Sequence, residues 1–221
     1  MKLKKGFLVV FEGIDGAGKT TQANLLRDRL KRKSLDVVLS KEPTNSMYGL
    51  KIKKLAQGER SSTIAEDEYN LFINDRKVHV ANTIKPALQQ KKIVILDRYY
   101  FSTMAYQGAL GLNYQKIKEE NELFAPVPEI VFLLKIPARL GIRRIQKSRN
   151  EEPNLFEQEE NLTRVHKIFD SLKENYIVPI NGAKPVEEIH NIVMNVMDDV
   201  IDHYLTKDEQ YTLFNHYIKA I

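Results

Sequence analysis

Short apolar runs separated by longer stretches of helical periodicity set the pattern of this chain. Phe7-Leu8-Val9-Val10-Phe11 is continuous and apolar, and Ala23, Leu26 and Leu30 then recur at helical spacing to about Lys33. Asp28 and Arg32, four apart, are expected to pair on the outer side of that helix. Val37-Val38-Leu39 predicts a second strand, ended by the turn-rich Lys41-Glu42-Pro43-Thr44-Asn45-Ser46, with a helix over about 49–57 to follow. After the polar residues 58–62, Ser62 or Thr63 is placed to cap a long helix over about 65–82. Glu66, Asp67 and Glu68 lie in its first turn, and Pro86 predicts an interruption before a last turn near Gln90.

Ile93-Val94-Ile95-Leu96 has the unbroken apolar character of a buried parallel strand and stops abruptly at Asp97-Arg98. Residues 99–124 read as mainly helical with a break at 108–113, and Ile130-Val131-Phe132-Leu133-Leu134 predicts a fourth strand. Pro137 opens a helix carrying Arg139, Arg143, Arg144 and Lys147, which gives way to a polar segment, 148–154, of lid-like composition. Leu162, Val165, Phe169 and Leu172 mark another helix, Tyr176-Ile177-Val178-Pro179-Ile180 a fifth strand, and 186 to about 205 a closing helix. Tyr211, Phe214, Tyr217, Ile218 and Ile221 repeat at helical spacing, so 206–221 is expected to be an amphipathic helical extension, covering an apolar surface of a domain spanning 1–205.

Strands alternating with helices imply an α/β fold: right-handed crossovers, a parallel five-stranded sheet and helices on both faces. Ligands of such sheets bind beyond the carboxyl ends of the strands, where the polar clusters 12–21, 41–46 and 97–102 all fall. They can share one cleft. Composition changes this picture little. A chain of 221 residues with 43% apolar content supports one large domain. It holds no cysteine, which excludes disulfides and thiolate metal sites and suits a reducing, cytoplasmic setting. The apolar run after Lys2, Lys4 and Lys5 is too short for a signal peptide, and no stretch is long enough to cross a membrane. A net charge of +5 suits an anionic small molecule and does not demand nucleic acid.

Candidate chemistry begins with Gly13-Ile14-Asp15-Gly16-Ala17-Gly18-Lys19-Thr20-Thr21, which fits G-x-x-x-x-G-K-[ST] between a strand and a helix. Such a turn brings backbone N–H groups to a polyphosphate at a helix N-terminus; Lys19 would reach the terminal phosphates and the Thr20 hydroxyl would ligate Mg²⁺. Glu12 and Asp15 would repel phosphate, so sugar-hydroxyl or metal-water contacts are expected of them. Asp97 can hold a metal-bound water, and Arg98 can bridge transferring and accepting phosphates; a salt-bridged strand end is the competing reading. Phe72 and Arg76 share a helical face and could stack on a base and bond its edge. Spacing alone favours a core Phe and an Arg paired with Glu68 or Asp75. Arg139, Arg143 and Lys147 offer a basic face that could close over phosphates, be solvated, or meet nucleic acid.

Phe11 to Gln22, Lys41-Glu42-Pro43, Leu71-Phe72 with Arg76, and Leu96-Asp97-Arg98-Tyr99-Tyr100-Phe101-Ser102-Thr103-Met104-Ala105-Tyr106-Gln107-Gly108 together resemble the thymidylate kinases, in order and spacing, over about residues 5–205. The resemblance implies a three-layer P-loop kinase fold, a homodimer, and transfer of the ATP γ-phosphoryl group to dTMP with Mg²⁺. It implies ATP contacts from residues 13–21 and Arg144, with Lys19, Arg98 and Arg149 catalytic and Thr20 and Asp97 at the metal. It also places Asp15, Pro43, Lys53, Phe72, Arg76, Arg98, Ser102, Tyr106 and Gln107 around dTMP, with Asp15 on the 3′-hydroxyl and Phe72 stacking on thymine. Where many bacterial relatives read Arg-Glu-Pro-Gly-Gly, this chain has Lys41-Glu42-Pro43-Thr44-Asn45, and Lys53 stands where an arginine is usual. The loop Gly16-Ala17 lacks an arginine, so the resemblance points to one in a lid over about 144–156, first Arg149, then Arg144. The alternatives are a kinase of dUMP or another pyrimidine monophosphate, a deoxynucleoside kinase, and, from another class, a P-loop switch or nucleic-acid-stimulated ATPase.

Overall fold

Five strands, β1 (Phe7–Glu12), β2 (Val37–Lys41), β3 (Ile93–Asp97), β4 (Ile130–Lys135) and β5 (Ile177–Asn181), form one parallel sheet in the order β2-β3-β1-β4-β5. The computed structural model describes residues 2–56, 65–149, 159–207 and 211, with the backbone alone at Ser148 and Arg149. Every residue of β1 and β3 is buried. Successive side chains point to opposite faces, so both faces of the sheet are covered. Each strand runs one or two residues past its apolar run, since main-chain pairing such as Phe11 with Asp97 and Lys41 with Asp97 is indifferent to a charged side chain. Glu12, Lys41 and Asp97 thereby reach the same edge.

The helices are α1 (Lys19–Arg32), α2 (Met47–Ala56), α3 (Ala65–His79), α4 (Lys85–Gln89), α5 (Tyr100–Ala109), α6 (Tyr114–Glu122), α7 (Ala138–Arg149), α8 (Glu159–Ser171) and α9 (Val186–Thr206). α1 packs on α9, while α5 gathers α3, α6 and α8. Pro86 does not interrupt the chain as expected. A π turn, Val80–Ile84, joins α3 to α4, and Pro86 follows it in the first turn of α4. The wider turn accommodates the ring and its missing N–H.

Asp28 takes its hydrogen bond from Arg27 Nε at 2.7 Å, the nearer donor, and Arg32 acts on it only as a charge. The expected caps Ser62 and Thr63 lie outside the described residues, as do 150–156 of the expected lid; its residues 144–149 are the end of α7. Of the C-terminal extension, Thr206 still belongs to α9, and Tyr211 is buried, its N–H donating to the Tyr204 hydroxyl at 2.9 Å. The expected helix over the remaining tail lies outside the described residues.

Candidate active site

The turn from β1 into α1 needs its glycines for distinct reasons. Gly16 and Gly18 hold φ of 78° and 98°, in the left-handed region that a side chain resists, and a Cβ on Gly16 would overlap the Gly141 carbonyl. The result is a polar cavity of about 640 Å³ floored by residues 15–22 and walled by Arg144, Gly182 and Lys184. Gly13 and Ile14 stand behind this floor, and their carbonyls accept from Lys19 Nζ at 2.9 and 2.8 Å. Burial, with Arg98 second, lowers the Lys19 ammonium to about 8, so it is poised for a stronger anionic partner. Arg144 faces inward, donating to the carbonyls of Gly182 at 3.0 Å and Gly16 at 3.3 Å.

Thr20 Oγ1 donates to Asp97 Oδ2, so a hydroxyl from the start of α1 and a carboxylate from the end of β3 meet at the cavity wall. Among the described residues no group of three or more His, Cys, Asp or Glu could hold a metal by itself. One hydroxyl and one carboxylate fit Mg²⁺, which keeps most of its water and takes phosphate oxygens.

A second, narrower cavity of about 180 Å³, mostly apolar, is lined by Phe72, Arg76, Tyr99, Ser102, Thr103 and Tyr106, among others. Asp15, Glu42, Pro43, Lys53 and Arg98 border both cavities. Arg98 has φ 74°, unusual for a non-glycine residue, and its N–H donates to the Phe11 carbonyl at 3.0 Å. Its guanidinium donates to Asp15 and, at 3.0 Å, to Ser102 Oγ. Burial alone would raise Asp15, but Arg98 and Lys19 hold its carboxyl at about 2, and the Tyr106 hydroxyl donates to it at 3.1 Å. Lys53 Nζ donates to Asn45 Oδ1 at 2.7 Å, and its ammonium is lowered by burial and by Lys41.

Arg76 is almost wholly buried, yet its partners are neither Glu68 nor Asp75. It bonds Glu42 through Nε at 2.8 Å and Nη2 at 2.7 Å, Thr103 at 2.9 Å and Asn121 at 2.7 Å. Asp75 instead accepts from Thr44 N, Thr44 Oγ1 and Ser46 Oγ at 2.8, 2.5 and 2.6 Å, tying down the 43–46 loop. Phe72 is half-buried at the cavity wall, with a face left for stacking.

Two expectations change, for Glu12 and Gln107, and the choice left open for the basic face of α7 is narrowed. Glu12 is fully buried and accepts from Tyr99 N, Ser102 N and Ser102 Oγ, so it braces α5 and cannot meet a sugar or metal water. Gln107 is fully buried and does not line the narrow cavity; its Nε2 donates to Glu68 at 3.4 Å. Arg139, Arg143 and Lys147 are exposed, with Arg139 paired to Glu159 at 2.7 Å, which is the solvated-face reading. The Arg149 side chain lies outside the description. Glu42, Thr103 and Asn121 were not singled out from the sequence; Glu42 had a signal, as the carboxylate of a turn at the carboxyl end of β2.

Comparison with known proteins agrees with this geometry. The sequence model described as thymidylate kinase matches residues 11–193. A thymidylate kinase of Desulfotalea psychrophila is 46% identical over 197 residues, 89% of this chain and 96% of the relative. Thymidylate kinases of Xanthomonas campestris and Xanthomonas euvesicatoria are 46% and 47% identical over 76% of this chain and 72% of each relative. With the P-loop, the Asp97-Arg98 strand end and the paired cavities in one cleft, these matches establish that the chain belongs to the thymidylate kinase family.

Proposed function

We infer that this protein transfers the γ-phosphoryl group of ATP to dTMP, giving dTDP and ADP. One observation carries the reading: a partly buried arginine, Arg98, stands on the border between a polar cavity over a P-loop and a narrow apolar one. A donor polyphosphate in the first and an acceptor nucleotide in the second would bring their phosphates together at its guanidinium. Phosphoryl transfer is largely positioning and charge stabilisation, and the dTMP phosphate is already an anionic nucleophile, so no general base is required.

Lys19 would exchange its two carbonyl partners for the β- and γ-phosphates, while the backbone of residues 15–20 cradles them. Thr20 and Asp97 would hold Mg²⁺, which would supply charge neutralisation at the polyphosphate. Arg98 spans donor and acceptor phosphates, and Lys53, which also borders both cavities, would assist at the acceptor phosphate. Asp15, ionised at any physiological pH, accepts from the sugar hydroxyl. Phe72 stacks on the pyrimidine. Arg76 has five donors, four committed to Glu42, Thr103 and Asn121, so one Nη1 donor faces a base carbonyl. Arg149, at the end of α7, is the proposed lid cation, and Arg144 lines the donor cavity.

Met47 and Leu50 of α2 and Val78 of α3 are large apolar side chains left exposed on two helices that pack together, and they support a homodimer through this face. A chain without cysteine suits the proposed cytoplasmic setting. A coupled ADP-release assay with Mg-ATP and a panel of dTMP, dUMP, dCMP, AMP and thymidine tests the reading. Preference for dTMP is expected; comparable rates with dUMP would widen the substrate, and activity on thymidine but not dTMP would overturn it.

A further inference from the structure

The base-facing arginine sits at the end of a longer buried chain. Glu42 Oε2 holds Arg76, and its other oxygen lies 3.0 Å from His79 Nδ1. His79 Nε2 in turn lies 2.8 Å from Ser40 Oγ on β2. Arg76, His79 and Glu42 are 1, 4 and 5% exposed, so the Arg76–Glu42–His79 contacts are shielded from bulk water, while Ser40 at the far end is partly buried.

We propose that His79 is a positioning residue for acceptor recognition, acting through Glu42 to set the angle at which Arg76 meets the base. The proposal rests on the assignment of Arg76 to the base. A carboxylate is free to turn about its last side-chain torsions, and one partner does not fix its plane. Arg76 engages Glu42 on one side only. His79 supplies the second restraint, and Ser40 clamps the ring from its far side, with the ring proton on Nδ1 so that it donates to the carboxylate. The helix is built to keep this face. Arg76 and His79 are three residues apart on α3, and the π turn begins at the next residue. That change of pitch sends Val80, Ile84 and Ala87 into the core while His79 remains turned toward Glu42. Without the His79 donor, Glu42 would hold a buried oxygen with no partner and would rotate to find one. The Arg76 fork would tilt with it, and the single donor left for the base would lose its aim.

The test uses the full chain and compares His79→Leu, His79→Asn and His79→Gln, with Arg76→Lys as reference. The Asn amide reaches where Nδ1 stands and keeps the donor to Glu42, whereas the Gln amide reaches toward Ser40. Expected is a rise in KM for dTMP of about tenfold in His79→Leu, with KM for ATP and kcat within about threefold of the parent. His79→Asn should recover most of the loss and His79→Gln should not. If His79→Leu fails to fold, the Asn and Gln pair decides alone. An unchanged KM for dTMP in His79→Leu, equal losses for both substrates, or Asn no better than Gln would overturn the proposal. Should Arg76→Lys itself leave dTMP use unchanged, the base assignment falls and the proposal with it. A loss in Arg76→Lys without one in His79→Leu removes the His79 role alone.

Discussion

Replacing Glu12 separates two contributions of a buried carboxylate, bracing and charge. Glu12 closes β1, and its Oε1 accepts from the N–H groups of Tyr99 at 2.7 Å and Ser102 at 3.1 Å, at the first turn of α5. Its Oε2 accepts from the Ser102 hydroxyl at 2.6 Å, and that hydroxyl accepts from Arg98 at 3.0 Å. In Glu12→Ala three buried donors lose their acceptor at about 1–3 kcal/mol each, and a cavity is added, so a loss of about 4 kcal/mol or more is expected. Glu12→Gln keeps Oε1 and both N–H bonds; only the hydroxyl must turn. It also removes a charge whose burial raises the Glu12 pKa, an offset that leaves a net cost of about 1 kcal/mol. For a chain of this size the two changes should lower Tm by about 10 °C or more and about 3 °C, read by calorimetry. The reoriented hydroxyl loosens Arg98, so kcat should fall several-fold in Glu12→Gln while KM for ATP holds. Equal destabilisation by Gln and Ala would show that the charge itself is stabilising and that the burial argument is wrong.

Four further outcomes are expected. Arg76→Ala should raise KM for dTMP by about tenfold or more with KM for ATP nearly unchanged; equal losses would show a structural arginine. Arg149→Ala should lower kcat far more than dTMP affinity, and an unaffected rate would move the lid role to Arg144. Lys19 is held at about 8 in the free protein, and phosphate contact raises it, so ATP binding between about pH 8 and 9 should take up protons, approaching one. Calorimetry in two buffers of different ionisation enthalpy measures this, and binding without proton uptake would refute the assigned state of Lys19. Asp97→Asn leaves a neutral oxygen beside Thr20, so the Mg²⁺ concentration for half-maximal rate should rise about tenfold, and no change would remove Asp97 from the metal.

Element positions were legible because buried parallel strands read as apolar runs and helices as a repeat of 3.6, two signals carried by neighbours in sequence. Their ends were less so. Glu12 and Asp97 are strand residues whose charge hides main-chain pairing. Glycine spacing foretold the P-loop because the turn needs those backbone angles whatever surrounds it. The role of Glu12 was not legible, since its partners are 87 and 90 residues away and nothing near Glu12 announces them.

Arg76 shows why spacing could not decide between core and site. Helical periodicity tells that a residue is buried, and Arg76 is, but against Glu42 and Asn121, which lie 34 and 45 residues away. An arginine buried among carbon would be a costly fault, while one held by a carboxylate, a hydroxyl and an amide with a donor left over can serve the recognition role proposed for Arg76. The two readings are not rivals. Burial fixes the plane of the guanidinium, and only a fixed plane can aim its remaining donor at the edge of a base.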